Sequence, residues 1–126
     1  MPSSMPARPP AELPLAVTQG DPCGIGPEII AKLFGSGAAA RGCFVVGDVD
    51  VMRRAAGWVG GLLSVAVIAQ PADAWRVPPN CIPVWSVPAL DALQAPMGQV
   101  DARAGASAAA CIEAATALAL QGEVAG

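Results

Sequence analysis

The chain has 126 residues, 54% of them hydrophobic and 13% charged, with a formal net charge of −3 at pH 7. This length suits a single domain, and the seven scattered basic residues form no stripe that could bind nucleic acid. The longest apolar run, Leu62–Ala69, is far too short to cross a bilayer, so the sequence predicts neither a nucleic-acid partner nor a membrane partner.

Two residue types restrict the chemistry that this chain can perform. Histidine, the commonest metal ligand and general base near neutral pH, is absent, and no two cysteines have the CxxC spacing of a metal site. The sequence therefore predicts no catalytic histidine and no transition-metal site in this chain. The cysteines are expected to be reduced thiols of a cytoplasmic protein, three of them in the core, with a disulfide pair as the alternative; they are Cys23, Cys43, Cys81 and Cys111.

The chain begins with a proline-rich stretch, residues 1–12, which we expect to be a disordered leader. It lacks the apolar core of a secretory signal. The domain is predicted to start at residue 13, where "LPLAVTQG" (Leu13–Gly20) is a short apolar run that ends in turn residues. Such a run is typical of a parallel strand that is buried on both faces.

The next stretch, "GDPCGIG" (Gly20–Gly26), is a loop rich in glycine and proline before a helix predicted over Pro27–Gly35. In α/β proteins such a loop lies beyond the carboxyl end of its strand and brings backbone N–H groups up to a ligand. Its spacing is neither G-x-G-x-x-G nor that of a Walker loop. Glycines at positions 24 and 26 permit positive φ and close backbone approach. The alternative is a tight connection that binds no ligand.

The rest of the chain alternates strands with helices, which predicts an α/β fold with a largely parallel sheet. Asp48 is expected to cap its helix, and Pro83 is expected to place the fourth strand at an edge or at a strand end. Residues 88–105 are irregular and numerous enough to suggest a function. The predicted elements are the strands Cys43–Gly47, Leu63–Ala69 (buried) and Cys81–Val87, and the helices Asp48–Gly57 and Ala106–Gly122.

Charged and small residues surround the predicted start of the last helix. Asp101 and Arg103 could reach a phosphate or a dimer partner, and a local ion pair at the helix start is the alternative. Gly105 and Ser107 are predicted to open that helix, whose first amides could hold an anion. The tryptophans are interpreted as core or interface anchors, as large aromatic residues usually are; they are Trp58, Trp75 and Trp85.

The residues "GDPCGIGPE" (Gly20–Glu28) resemble the N-terminal signature of the 4-hydroxythreonine-4-phosphate dehydrogenase family, which makes a precursor of pyridoxal phosphate. Cys23 stands where alanine is common in that family. A shorter form of the signature marks the isocitrate and isopropylmalate dehydrogenases, whose fold the family resembles. "VVGD" (Val45–Asp48) and the stretch Met97–Val124 are similar to later parts of the family, so the resemblance runs from about Leu13 to the end of the chain.

The resemblance implies an α/β fold with a mostly parallel sheet and flanking helices, isocitrate/isopropylmalate dehydrogenase-like and incomplete. Residues 13–126 would form the N-terminal portion of a two-domain, homodimeric enzyme. That enzyme would oxidise 4-phosphohydroxy-L-threonine, a small phosphorylated substrate, with NAD and then release carbon dioxide with the help of a divalent metal (Zn, Mg or Co). The family's catalytic and metal-binding residues lie downstream of Gly126. None is therefore assigned to this chain, which is expected to be inactive by itself.

On this interpretation the cofactor is seated by Gly20, Asp21, Gly24, Ile25 and Gly26. Asp21 could orient a ligand hydroxyl or the nicotinamide end of NAD, with an Asx-type cap of the turn as the alternative. Two other functions stay open. One is a dehydrogenase for a related four-carbon sugar-acid phosphate, and the other is a non-catalytic remnant that acts as a binding or dimerisation module.

Overall fold

A computed structural model describes residues 12–36, 40–60, 63–88 and 96–126, so all of the predicted leader except Glu12 lies outside the described residues. Four strands form one sheet in the order β1-β2-β4-β3, and every neighbouring pair is parallel. The predicted α/β fold with a parallel sheet and flanking helices is confirmed. The elements are β1 (Leu15–Thr18), α1 (Gly26–Phe34), β2 (Cys43–Gly47), α2 (Val49–Val59), β3 (Ser64–Val67), a short 3-10 helix (Pro71–Trp75), β4 (Cys81–Ser86) and α3 (Ala102–Leu120).

The sheet is covered on both faces, which explains why β2 is apolar at successive positions. Side chains alternate across a strand, so Val45 joins one core and its neighbours Phe44 and Val46 join the other. The first core lies under α1 and α2, and the second lies under α3. All three of these β2 side chains are fully buried. Among the described helices, none is both long and apolar enough to span a bilayer.

Two strands that were predicted to be buried lie at the edges of the sheet. Leu15 in β1 is 48% exposed and Val67 in β3 is 55% exposed, because each strand has a sheet neighbour on one side only. An apolar run alone does not distinguish a central strand from an edge strand. The outer edge of β1 is nevertheless bonded to the last described residues: the Ala125 N–H donates to the Pro14 carbonyl (2.9 Å), and the Ala16 N–H donates to the Gly126 carbonyl (2.8 Å).

The prediction that Pro83 places β4 at an edge is wrong, because β4 lies between β2 and β3. Pro83 is fully buried and pairs with Ala66 of β3. On the other side of β4, pairing with β2 begins one residue later, at Val84. Proline lacks a backbone N–H for the ladder, and it is tolerated here because it precedes the stretch of β4 that pairs with β2.

The end of the second helix and the start of the last helix differ from the predictions. The second helix continues past Gly57 to Val59, since a single glycine weakens a helix without ending it. The last helix begins at Ala102 and not at Ala106, because the Asp101 side chain accepts the Arg103 N–H and caps an earlier turn. The predicted cap by Asp48 is confirmed: its Oδ1 accepts the N–H groups of residues 50 and 51 at 2.8 and 3.1 Å.

The cysteines are buried free thiols largely as predicted, whereas the prediction that the tryptophans are core or interface anchors agrees with the structure only in part. Three cysteines are buried, Cys43 is half-buried, and all four are free thiols in the structure. No tryptophan is fully buried, but Trp85 is partly buried and packs against the second core, as the prediction of a core anchor requires. Trp58 is 46% exposed with the Arg54 guanidinium 5.4 Å above its ring, and the Trp75 indole N–H donates to the Glu12 carbonyl at 3.1 Å.

Candidate functional site

The candidate site lies at the edge of the sheet where the parallel strands end. β1 and β2 end at Thr18 and Gly47, and pairing is parallel, so the residues that follow them are neighbours. Ligands of open α/β sheets gather at this edge. The loop Gly20–Gly26 follows β1, and α2 starts directly after β2. The first turns of α3 complete the edge through a side-chain contact made by Gln19.

Gln19 is the polar centre of this edge, and only 1% of it is exposed. Its Oε1 accepts the Asp48 N–H at 2.8 Å, and its Nε2 donates to the Ser107 Oγ at 3.3 Å. One amide thereby joins the end of β1 to the starts of α2 and α3. The role of Gln19 was not predicted from the sequence. It could have been recognised from its place, since it is a long polar side chain between an apolar strand and a glycine-rich loop.

The loop Gly20–Gly26 begins with a turn that the chain itself stabilises. Gly20 has φ of +73°, which a residue without Cβ adopts readily. The Asp21 Oδ1 accepts the Cys23 N–H at 2.8 Å, and the Asp21 carbonyl accepts the Gly24 N–H at 3.0 Å. The structure therefore shows the Asx-type cap for Asp21. Its contact with a cofactor stays a prediction.

The other two glycines of the loop do not use the positive φ that glycine permits. Among the described glycines, positive φ does not occur at Gly24 or Gly26. A Cβ on Gly26 would lie 2.8 Å from the Gln19 carbonyl oxygen, so this glycine allows a close approach within the chain. A Cβ on Gly24 would make only ordinary contact with Asp21, at 3.5 Å. Asp21 and Ile25 are the exposed residues of the loop, with Ile25 71% exposed, and Gly24 is partly exposed.

Hydrogen bonds from other parts of the chain hold the loop Gly20–Gly26 in place. The Arg54 Nη2 of α2 donates to the Pro22 carbonyl at 2.8 Å, and the Gly98 N–H donates to the Cys23 carbonyl at 2.8 Å. Cys23 is buried against Ala104 of α3. Two loop carbonyls are thus bonded to other parts of the chain. A loop that is already ordered loses little conformational entropy when it binds a ligand.

The Asp101 and Arg103 side chains form the local ion pair that was the alternative to a ligand contact. The Arg103 Nη2 lies 2.9 Å from the Asp101 Oδ2, and the Arg103 hydrogen bonds lower the pKa of Asp101 to about 2. Gly105 and Ser107 do not open α3, contrary to the prediction, since the helix starts at Ala102. The Gly105 N–H donates to the Asp101 carbonyl, and the Ser107 hydroxyl accepts from Gln19.

The lowered pKa of Asp101 predicts how stability changes in acid. The ionised carboxylate stabilises the fold above its ordinary pKa of 3.8, and this contribution disappears as the pH falls through about 2. We expect the midpoint of thermal unfolding to fall over this range by more in the wild type than in Asp101→Asn, which has no carboxylate to protonate. Equal acid sensitivity of the two proteins would contradict the prediction.

Neither described cavity lies at this edge of the sheet. A cavity of about 280 Å³ lies at the amino ends of β2 and β4, with Cys43, Cys81 and Trp75 in its wall. A second, of about 220 Å³, is lined partly by Pro14 and Gln70. We place the candidate site at the carboxyl edge despite these volumes, because backbone amides and a bonded loop occur there. Over the described ranges, no three His, Cys, Asp or Glu side chains lie close enough to hold a metal ion.

Comparisons with known proteins give one consistent result. No protein-family profile matches the chain. The chain is similar to D-threonate 4-phosphate dehydrogenase of Pectobacterium atrosepticum, with 43% identity over 112 residues, covering 87% of this chain and 34% of that protein. It is also similar to 4-hydroxythreonine-4-phosphate dehydrogenase of Beijerinckia indica, with 40% identity over 113 residues, covering 90% and 33%.

A solved structure agrees with these relatives. The crystal structure of 4-hydroxythreonine-4-phosphate dehydrogenase from Klebsiella pneumoniae matches with a TM-score of 0.80 and 41% identity, covering 90% of this chain and 35% of that one. The chain therefore spans about a third of the length of the curated relatives that it matches.

Proposed function

Since the chain is a homologue of the 4-hydroxythreonine-4-phosphate and D-threonate 4-phosphate dehydrogenases over almost nine tenths of its length, we propose that it forms the N-terminal α/β portion of a dehydrogenase of this kind. The reaction is the NAD-dependent oxidation and decarboxylation of 4-phosphohydroxy-L-threonine. The names of the relatives support the dehydrogenase activity. The observation that carries the role of this chain is the bonded glycine-rich loop at the carboxyl edge of the sheet.

In this proposal the loop seats the cofactor mainly through its backbone, at Gly20, Asp21, Gly24, Ile25 and Gly26. The support is strongest at Gly24, because nothing within the described chain requires a glycine there. Its missing side chain is thus left for close approach by a ligand. When bound, NAD accepts the hydride that leaves the substrate. The chain's own contribution is to hold the loop still, with Arg54 bonded to its Pro22 carbonyl.

The proposal gives this chain no catalytic residue and no metal ligand. The described side chains do not fit a divalent metal, because no cluster of ligands occurs among them, and we derive no step through such an ion. A small phosphorylated substrate, a homodimeric assembly and a cytoplasmic location are further parts of the proposal. They follow from the likeness to the dehydrogenases and not from any contact in this chain.

Gly24→Ala tests whether the loop seats the cofactor. We expect the dissociation constant for NAD, measured by calorimetry, to rise roughly tenfold, which corresponds to about 1.4 kcal/mol of lost contact. The free energy of unfolding should stay unchanged, because the new methyl group meets no crowded atom. Gly57→Ala is the matched control, since a Cβ on Gly57 meets nothing within 4 Å and Gly57 lies in α2, away from the loop. Equal NAD affinity in Gly24→Ala and the wild type would contradict the assignment of the loop, and a wild type that binds no NAD would contradict the cofactor site.

The substrate is tested on the complete dehydrogenase of which this chain is proposed to form the N-terminal portion, by following NADH formation with a divalent metal present. Turnover of 4-phosphohydroxy-L-threonine supports the first proposal. A second candidate substrate is D-threonate 4-phosphate, a four-carbon sugar-acid phosphate, because that substrate is named for a relative that is 43% identical. Binding of NAD without turnover of either compound would instead favour a non-catalytic binding module.

A further inference from the structure

We infer that Gln19 is a positioning residue for the proposed cofactor site. Its amide holds the loop Gly20–Gly26 in a fixed relation to α2 and α3, and its side chain blocks access to the end of β2. The inference rests on the proposed function, since it explains how the same loop is kept in place. It adds a residue that the loop's own glycines and prolines do not reveal.

The first step is that the amide of Gln19 joins three elements that are distant in sequence. Gln19 directly follows β1, and its N–H donates to the Val46 carbonyl of β2 at 3.1 Å. Its Oε1 accepts the Asp48 N–H, and its Nε2 donates to the Ser107 hydroxyl, 88 positions along the chain. A buried amide that uses both its donor and its acceptor has one orientation. The end of β1 is therefore fixed immediately before the loop begins.

The second step is that two glycines make room for Gln19. A Cβ on Gly47 would lie 2.9 Å from the Gln19 Cβ and Cδ and closer still to its Oε1, and a Cβ on Gly26 would lie 2.8 Å from its carbonyl oxygen. Real Cβ atoms do not approach other atoms this closely. Both glycines therefore allow close packing within the chain. At both positions the space that a Cβ would take is occupied by Gln19, which is not so at Gly24.

The hydrogen bond from Asp48 to Gln19 also limits where a ligand can bind at this edge of the sheet. The Asp48 N–H is the first amide after β2, at an edge where backbone amides commonly meet ligands. Here it is already bonded to Gln19, and Asp48 is only 8% exposed. A ligand at this edge is therefore directed away from β2 and toward the partly exposed Gly24 and the exposed Ile25. This direction is what makes Gln19 a positioning residue and not only a core residue.

Gln19→Met tests the inference because methionine fills a similar volume without either hydrogen bond. We expect the amides of Asp48 and Gly24 to exchange with solvent roughly tenfold faster than in the wild type, as their local protection is lost. NAD affinity should fall several-fold, and Ser107→Ala should shift both quantities in the same direction by less. Leu118→Ala is the matched control: Leu118 is buried on the same helix, closer to its far end, so the variant loses stability at a distance from the contact between Gln19 and Ser107.

Each outcome decides the inference. Faster loop exchange and weaker NAD binding in Gln19→Met, with both unchanged in Leu118→Ala, support it. Wild-type values of both quantities in Gln19→Met would overturn it, and so would equal shifts in Leu118→Ala, which would make the effect one of general stability. If the wild type binds no NAD, the proposed function fails, and amide exchange alone decides whether Gln19 positions the loop.

Discussion

Replacing Gly42 by alanine should lower the free energy of unfolding by about 3 kcal/mol, from backbone strain and overpacking together. Gly42 has φ of +79°, a conformation that disfavours any side chain. Its missing Cβ would also lie 2.6 and 2.8 Å from two ring carbons of Trp75. The indole has little freedom to move away, because its N–H is bonded to the Glu12 carbonyl. The backbone is held too, since the Gly42 carbonyl accepts the Leu15 N–H at 3.0 Å.

Urea unfolding followed by circular dichroism measures this loss. The matched control is Gly57→Ala, which should stabilise the fold by about 0.5–1 kcal/mol because its helical position has open space around it. Adding Trp75→Leu to Gly42→Ala should recover the steric part of the loss and leave the strain from positive φ. If Gly42→Ala and Gly57→Ala behaved alike, neither the clash with the indole nor the backbone strain would exist in solution.

Local signals predicted most of the secondary structure correctly. The apolar run of β2 and the cap at Asp48 depend on residues close together in sequence, and both were predicted where they occur. The start of α3 was placed too late because a glycine at position 105 resembles a boundary. The helix in fact starts at Ala102, because Asp101, the residue before it, caps the helix. Helix ends are thus predictable when the capping side chain is recognised first.

The order of the strands in the sheet could not be predicted from residues that are close together in sequence. Whether a strand is central depends on which neighbours it pairs with, and this is a long-range property. β4 contains Pro83 and was predicted to lie at an edge or a strand end, yet it is central, while the apolar β1 and β3 are the edge strands. Proline excludes one hydrogen bond of one ladder. It does not exclude a central position when pairing on that side starts at Val84.

In the candidate site too, features set by neighbouring residues were predicted and features set by distant residues were not. The loop Gly20–Gly26 was found because glycine and proline mark a turn by their own conformational preferences. The role of Gln19 was missed because its partner Ser107 lies on a helix that folds back onto the sheet from the far end of the chain. For the same reason the close approach of Gly26 to the Gln19 carbonyl oxygen was not predicted.

Replacing Gly47 by alanine should lower the free energy of unfolding by about 2 kcal/mol or more, because a methyl group there would displace a buried, doubly bonded amide. The displaced Gln19 side chain would leave the Asp48 N–H and the Ser107 hydroxyl without their present partner. No backbone strain contributes, since positive φ among the described glycines does not occur at Gly47. The loss should therefore depend on the residue at position 19.

A double-mutant cycle isolates that dependence. In a Gln19→Ala background the Oε1 and Cδ atoms that crowd the new methyl group are absent, and only the Cβ at 2.9 Å remains. Gly47→Ala should then cost about 1 kcal/mol or less, which gives a coupling energy of about 1 kcal/mol or more between the two positions. Urea unfolding of the four proteins supplies the cycle, with Gly57→Ala in both backgrounds as an uncoupled control. A coupling energy near zero would mean that something other than Gln19 requires a glycine at position 47. The end of β2 would then be open to a ligand after all.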